Sequence, residues 1–286
     1  MGHKRTYTLR DGREIPRLGQ GTWYMGEDRS RRSAEIEALQ LGIELGMTLL
    51  DTAEMYGEGK AEKLIGEAIR DVSREKLFIV SKVYPHNAGR RNLERSLDAS
   101  LARMGTGYLD LYLLHWRGGI PLRETAEEME RMVRTGKIKG WGVSNLDLDD
   151  MKELMETGLG ERCLTDQVLY HLGSRGVEYD LQPWLEKNDI SLMAYCPLAE
   201  AGLLRQGIMS NETVTKIAQS HDMTPAQVML GFLLRKENVI VIPKAGSVKH
   251  VRENARALEC VLSEEELRAL DACFPAPTCP VPLDVV

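Results

Sequence analysis

Residues 109–116 read Leu109-Asp110-Leu111-Tyr112-Leu113-Leu114-His115-Trp116. From Leu111 to Leu114 the stretch is apolar at successive positions, and it then stops at a histidine. A strand with one wet face alternates, whereas a strand covered on both faces does not. Further short runs of this kind lie at residues 48–50, 77–80, 138–143, 164–168, 190–194 and 239–242. They recur at intervals of about 30 residues, the length of a strand–helix–strand unit. Amphipathic stretches separate them. Residues 33–45 put Ile36, Leu39 and Ile43 on one helical face, and residues 93–104 do the same with Leu93, Leu97 and Leu101. Helix starts are marked by Thr224-Pro225-Ala226-Gln227, with Pro at the first helical position, and by the capping box Ser263-Glu264-Glu265-Glu266.

Strand–helix alternation implies an α/β protein with a parallel sheet. An eighth strand at residues 18–21 completes the number that closes a (β/α)8 TIM barrel, and the 286 residues suit a fold of roughly 250 residues or more. Tyr7 to Pro16, turning on Asp11-Gly12, reads as an N-terminal β-hairpin able to plug the barrel bottom. After Phe274 the chain is Pro-rich and reads as a short irregular C-terminal tail. No linker or low-complexity segment interrupts residues 1–286, which read as a single barrel domain. A dinucleotide-binding Rossmann fold is the main competitor. Gly19-Gln20-Gly21 starts its glycine fingerprint, but the third glycine would fall on bulky Tyr24.

The net charge of −6 disfavours nucleic acid and anionic membranes as partners. No run approaches the roughly 18 apolar residues of a membrane span, and the first residues lack the apolar core of a signal peptide. The cysteines Cys163, Cys196, Cys260, Cys273 and Cys279 are odd in number and form no CxxC pair. No metal and no disulfide framework are expected, and reduced thiols suit a cytoplasmic protein. No exposed heptad argues for an oligomer, so a monomer is expected.

Barrels of this kind carry chemistry at the C-terminal ends of their strands. Asp51 follows residues 48–50, Lys82 follows Phe78-Ile79-Val80-Ser81, His115 follows residues 111–114, and Tyr56 lies in the loop beyond Asp51. Each residue alone has an ordinary explanation as a cap, a solvated lysine or a core histidine. Three of them at the same end of successive strands, with a tyrosine between, point to a site. Reduction of a carbonyl needs a hydride at carbon and a proton at oxygen. Tyr56 is the candidate general acid, Lys82 would lower its pKa, Asp51 would hold Lys82 charged, and a neutral His115 would orient the substrate carbonyl.

Several motifs carry a resemblance. Asp51-Thr52-Ala53-Glu54-Met55-Tyr56-Gly57, Val80-Ser81-Lys82, residues 109–116, Trp141-Gly142-Val143-Ser144-Asn145, Gln167, Tyr195-Cys196-Pro197-Leu198 and Ile242-Pro243-Lys244 occur in order from about residue 19 to residue 254. Together the chain resembles the aldo-keto reductase superfamily. The segments Gly21-Thr22-Trp23-Tyr24-Met25-Gly26-Glu27-Asp28 and His171-Leu172-Gly173-Ser174-Arg175-Gly176 resemble its bacterial methylglyoxal-reducing branch. The resemblance implies that Asp51, Tyr56, Lys82 and His115 form the catalytic tetrad of an NADPH-dependent reductase of aldehydes and ketones, with NADH a weaker alternative. It implies that Ser144, Asn145 and Gln167 bind the nicotinamide carboxamide and that Tyr195 stacks on the ring. Gly21, Thr22, Pro197 and Leu198 would line the cofactor cleft, with residues 201–207 a loop over the pyrophosphate. Lys244 and Ser247 would take the 2′-phosphate, and Glu253 and Asn254 would lie near the adenine. Relatives often carry Ser directly after this lysine and Arg six residues beyond it. This chain has Ala245 and His250 there, and a histidine lacks the permanent bidentate charge of arginine.

Trp23, Tyr24 and Trp116 are candidates for the substrate pocket, with Glu54 and Arg117 at its edges, and the short tail is expected to leave that pocket open. The implied substrates are small 2-oxoaldehydes such as methylglyoxal, and aromatic aldehydes. Two other readings remain at this stage: an NADPH-binding redox-sensing module with little turnover, and a barrel aldolase forming a Schiff base on Lys82.

Overall fold

The computed structural model describes residues 2–286. It opens on an antiparallel hairpin of β1 (Thr6–Thr8) and β2 (Glu14–Pro16). Gly12 makes the turn at φ +84°, a conformation that favours glycine. Eight parallel strands follow: β3 (Gln20–Gly21), β4 (Leu49–Asp51), β5 (Phe78–Val83), β6 (Leu111–Leu114), β7 (Trp141–Ser144), β8 (Cys163–Leu169), β9 (Ser191–Tyr195) and β10 (Val239–Val241). Each pairs with the next in chain order. Parallel bridges from Leu18 to Val241 and from Gly21 to Lys244 join first to last and close the barrel.

Helices fill the crossovers and follow the last strand. They are α1 (Arg32–Glu44), α2 (Lys60–Ala68), α3 (Leu93–Met104), α4 (Leu122–Thr135), α5 (Leu148–Glu156), α6 (Leu181–Lys187), α7 (Leu203–Met209), α8 (Glu212–Ser220), α9 (Pro225–Leu234), α10 (Val248–Ala255) and α11 (Glu264–Cys273). Both capping boxes read from the sequence form, at Thr224 with Gln227 and at Ser263 with Glu266.

The unbroken apolar runs have their explanation in two cores. Leu49, Phe78, Val80, Leu111, Leu113, Met193 and Ile240 cluster inside the barrel, together with Leu9 and Ile15 from the hairpin segment. That segment therefore plugs one end. The residues between them, such as Leu50, Ile79, Tyr112, Leu114 and Ala194, pack outward against Leu39, Leu97 and Met129 of the helices. A strand buried on both faces has no place for polar alternation. Boundaries shift by a few residues from the sequence reading. Lys82 lies within β5 rather than after it, and Ile138 makes only an isolated bridge to Leu109 before β7 begins. Among the described residues no helix is long and apolar enough to cross a membrane.

One buried group breaks the pattern. Asp166 of β8 is fully buried, and among the described residues its carboxylate has no well-formed hydrogen bond, only the Leu146 backbone nearby to favour its charge. Burial pushes its pKa well above the usual carboxylate range. The folded state then holds a proton that the unfolded chain gives up near pH 4, so this residue costs increasing stability as pH rises above that value. Asp166→Asn is expected to gain stability relative to the natural protein as pH rises from about 5 to about 8. Urea unfolding at those two values measures it, and an offset that does not change with pH would refute the assignment.

Candidate active site

Asp51 ends β4, and Lys82 lies on the adjoining β5 two residues beyond Val80, the register partner of Asp51; both are buried. Lys82 Nζ lies 2.9 and 2.8 Å from the two Asp51 carboxylate oxygens, 3.0 Å from the Thr52 carbonyl and 3.0 Å from the Tyr56 hydroxyl. Gln167 Nε2 donates to Asp51 at 2.8 Å from across the barrel. Tyr56 reaches this cluster because the loop after β4 doubles back immediately. Gly57, Glu58 and Gly59 all take positive φ, at 55°, 55° and 83°. His115 follows β6, with its backbone N–H on the Val83 carbonyl at 3.1 Å. Its ring stands edge-on to Tyr56, centroid to centroid 5.8 Å. The four sequence-predicted residues are thus brought together.

The charges inside this cluster differ from the sequence reading in one respect. Lys82 was expected to draw the Tyr56 pKa down. Instead burial first, and then the Asp51 carboxylate and the Cys196 thiol, hold the phenol well above its ordinary value. The Lys82 ammonium still donates to the phenol oxygen at 3.0 Å, but burial outweighs it while the phenol keeps its proton. Burial also depresses Lys82 itself, against the pull of Asp51. His115 is driven down to about 2 by burial and by the Lys82 cation, so its imidazole is neutral across the working range. Its Nδ1 is buried and has no partner among the described residues. An ammonium with four oxygen neighbours and no exposed surface is poorly placed as a Schiff-base nucleophile.

Two hollows touch the cluster, and a third adjoins one of them. The smallest, about 70 Å³, joins Tyr56, His115, Trp23 and Trp116 to Ser144, Asn145, Gln167 and Tyr195. Ser144 Oγ donates to the Gln167 carbonyl at 2.8 Å, and Tyr195 OH donates to Asn145 Oδ1 at 2.8 Å. Gln167 spends its amide N–H on Asp51 and the Met193 sulfur, which fixes its orientation. Val286 also lines this hollow, a residue the sequence did not flag. The tail therefore does not leave the pocket open as expected. Its route is set by the loop after β8, where Ser174 donates to Asp284 and Gly176 faces Val281.

A cleft of about 400 Å³ continues from Tyr56 past Gly21, Thr22, Trp23 and Tyr24 on one wall. Tyr195, Pro197, Leu198 and Lys244 form the other. A Cβ on Gly21 would meet the Ile242 carbonyl at 2.8 Å, so this glycine is needed where the barrel closes. Trp23 and Tyr24 stack at 4.5 Å, and Trp116 sits 4.9 Å from His115. Glu54 and Arg117, expected at the pocket edge, do other work. Glu54 accepts from the Tyr84 backbone at 2.8 Å, and Arg117 pairs with Glu153 on α5 at 2.9 Å. The expected loop at residues 201–207 is helical from Leu203 onward, as α7.

A second cleft, about 500 Å³, adjoins the first through Leu198, Arg205 and Lys244. It contains Ser247, His250, Glu253 and Asn254, as the sequence reading expected, and also Arg31 and Arg205, which that reading missed. Ser247 caps α10, accepting the His250 N–H. Among the described residues seven non-glycine positions have positive φ, and five of them, Tyr24, Glu58, Asn145, Cys196 and Ala199, lie around these hollows or the Tyr56 turn. Strain of this kind concentrates where a site dictates the backbone. Polar side chains by Tyr195 at one end and cations at the other suit an extended dinucleotide. Among the described residues no group of three or more His, Cys, Asp or Glu could hold a metal ion.

Comparison with known proteins gives a match to the aldo/keto reductase family model over residues 17–274. The methylglyoxal reductase YeaE of Escherichia coli is 53% identical over 272 residues, covering 95% of each chain. The glyoxal reductase of Bacillus subtilis is 32% identical, covering 94% of this chain and 92% of that one. The crystal structure of an aldo/keto reductase from Klebsiella pneumoniae in complex with NADP and acetate superposes with a TM-score of 0.96 at 50% identity. It covers 99% of this chain and all of that one.

Proposed function

As the chain belongs to the aldo/keto reductase family, we propose that it reduces the carbonyl of small 2-oxoaldehydes such as methylglyoxal, and of aromatic aldehydes, with NADPH. The single observation that carries this reading is the Lys82 ammonium held between the Asp51 carboxylate and the Tyr56 hydroxyl, at 2.8 and 3.0 Å. Bound at Ser144, Asn145, Gln167 and Tyr195, the dinucleotide supplies a hydride to the carbonyl carbon.

This chain's own residues do the rest. His115, neutral, donates a hydrogen bond that points the carbonyl oxygen at Tyr56. As negative charge grows on that oxygen, the Tyr56 hydroxyl gives it a proton, and Lys82 steadies the phenolate left behind. A proton from water restores the phenol. Trp23, Tyr24 and Trp116 wall the substrate, and Val286 narrows the space to suit short aldehydes. The two clefts would hold the rest of the dinucleotide along Thr22, Pro197, Leu198 and Lys244. Five cysteines, none paired, support a reducing cytoplasmic setting.

The test is the loss of NADPH absorbance on adding methylglyoxal to the purified protein. A steady, enzyme-dependent fall is expected. Tight NADPH binding with no fall on methylglyoxal or benzaldehyde would favour the sensor reading instead.

A further inference from the structure

We propose that Arg31, which precedes α1, recognises the 2′-phosphate of NADPH in the role an arginine on α10 would fill, and that Arg205 of α7 contacts the pyrophosphate. This rests on the cofactor reading above. The division of labour follows from position. Arg31 lines only the second cleft, among Gly246, Ser247 and His250 at the start of α10. Arg205 lines both clefts, at the junction between the nicotinamide end and the adenosine end.

Arg31 is not a loose surface side chain. A Cβ on Gly246 would stand 3.1 Å from its Nη2, so the guanidinium lies directly over the turn between β10 and α10. Glu35, buried to 1% exposure, holds it from below. One Glu35 oxygen accepts the Gly26 N–H at 2.8 Å, and the other lies 3.9 Å from Arg31 Nε. That contact is too long to use up the arginine's donors. The Nη groups remain available to an anion resting on the Ser247 cap. Lys244 feels both arginines. After burial, the positive charge of Arg31 is the largest influence lowering its pKa, Glu35 opposes, and Arg205 adds to the lowering. Three cations pressed together, with Glu35 and Glu253 as the nearby acids, repel one another until a phosphate relieves the strain. Two of the three are guanidiniums, which keep their charge at any working pH and grip phosphate through two parallel hydrogen bonds.

Dissociation constants for NADPH and NADH, read from quenching of intrinsic tryptophan fluorescence, separate the two roles without any turnover. Arg31→Ala is expected to weaken NADPH about 10- to 100-fold and to leave NADH within about twofold, with Arg31→Lys in between because it keeps charge but loses the fork. Arg205→Ala is expected to weaken both dinucleotides by a similar factor. Glu35 keeps its bond from the Gly26 N–H when Arg31 is lost, so the variant is expected to fold, and its melting temperature checks this. If the natural protein binds both dinucleotides and Arg31→Ala weakens them equally, or not at all, the 2′-phosphate assignment is overturned while the reductase reading stands. A natural protein that binds neither dinucleotide would overturn both.

Discussion

Tyr56→Phe is expected to cut the turnover of methylglyoxal about 100- to 10,000-fold, the usual worth of a positioned general acid, while the affinity for NADPH stays unchanged. The size of the loss follows from the lack of a substitute. Lys82 is buried and shared among Asp51, Thr52 and Tyr56, so its proton has no path to a substrate oxygen. His115 titrates at about 2 and carries no spare proton near neutrality. Phe keeps the ring that packs 6.4 Å from Trp23, so the fold and the cleft survive. A variant retaining more than about a tenth of the natural rate would remove Tyr56 from the proposed role, since general acid catalysis is worth far more.

The same group sets the pH behaviour. With the phenol held well above its ordinary value, the reduction rate should be flat through neutrality. It should fall only on the alkaline side, as the phenol ionises. Alcohol oxidation needs the phenolate as base and should rise over that same range. Neither direction should show a break near the ordinary histidine value of about 6.5, because His115 is neutral well below it. Initial rates in both directions across pH measure this. A break near that value in the reduction limb would mean that His115 gains a proton in the working enzyme.

The barrel was legible because burial on both strand faces leaves an unmistakable mark: Leu111 to Leu114 and Phe78 to Val80 admit no polar residue until the site begins. The clustering of Asp51, Lys82 and His115 was legible for the same reason, as polar residues at the ends of such runs. What stayed hidden depends on contacts distant in sequence. Arg31 and Lys244 meet only because the first and last strands close on each other at Gly21, and no local pattern announces that an arginine before α1 will lie over Gly246. The place of Val286 depends likewise on Ser174 holding Asp284. The direction of the Tyr56 shift stayed hidden because residue identity gives the Lys82 charge but not the burial that opposes it. Glu54, expected at the pocket edge, accepts the Tyr84 N–H, a contact 30 residues away that the sequence does not announce.

Asp51→Asn should cost about 3–5 kcal/mol of stability, the range for stripping one partner from a buried ion pair, and should also abolish reduction. Lys82 has no exposed surface, and Asp51 provides two of its four oxygen neighbours. Without the carboxylate, the ammonium must either stay charged in a dry interior or give up its proton. The sign of the pH dependence identifies which cost operates. The lysine's pKa falls further below its unfolded value of about 10.4, so the unfolded chain binds the extra proton. The defect is then fully expressed at neutral pH and shrinks as pH rises toward that value. Urea unfolding of Asp51→Asn at neutral and alkaline pH reads this directly. Adding Lys82→Met to Asp51→Leu removes both charges and replaces them with apolar groups of similar reach. That double variant should be more stable than either single one, because the cost lies in the unpaired charge and not in the lost attraction. Strict additivity of the two single losses would mean that the pair is uncoupled. The Lys82 ammonium would then be stabilised by the Thr52 carbonyl and Tyr56, and the place of Asp51 in the tetrad would have to be found in its bond to Gln167 instead.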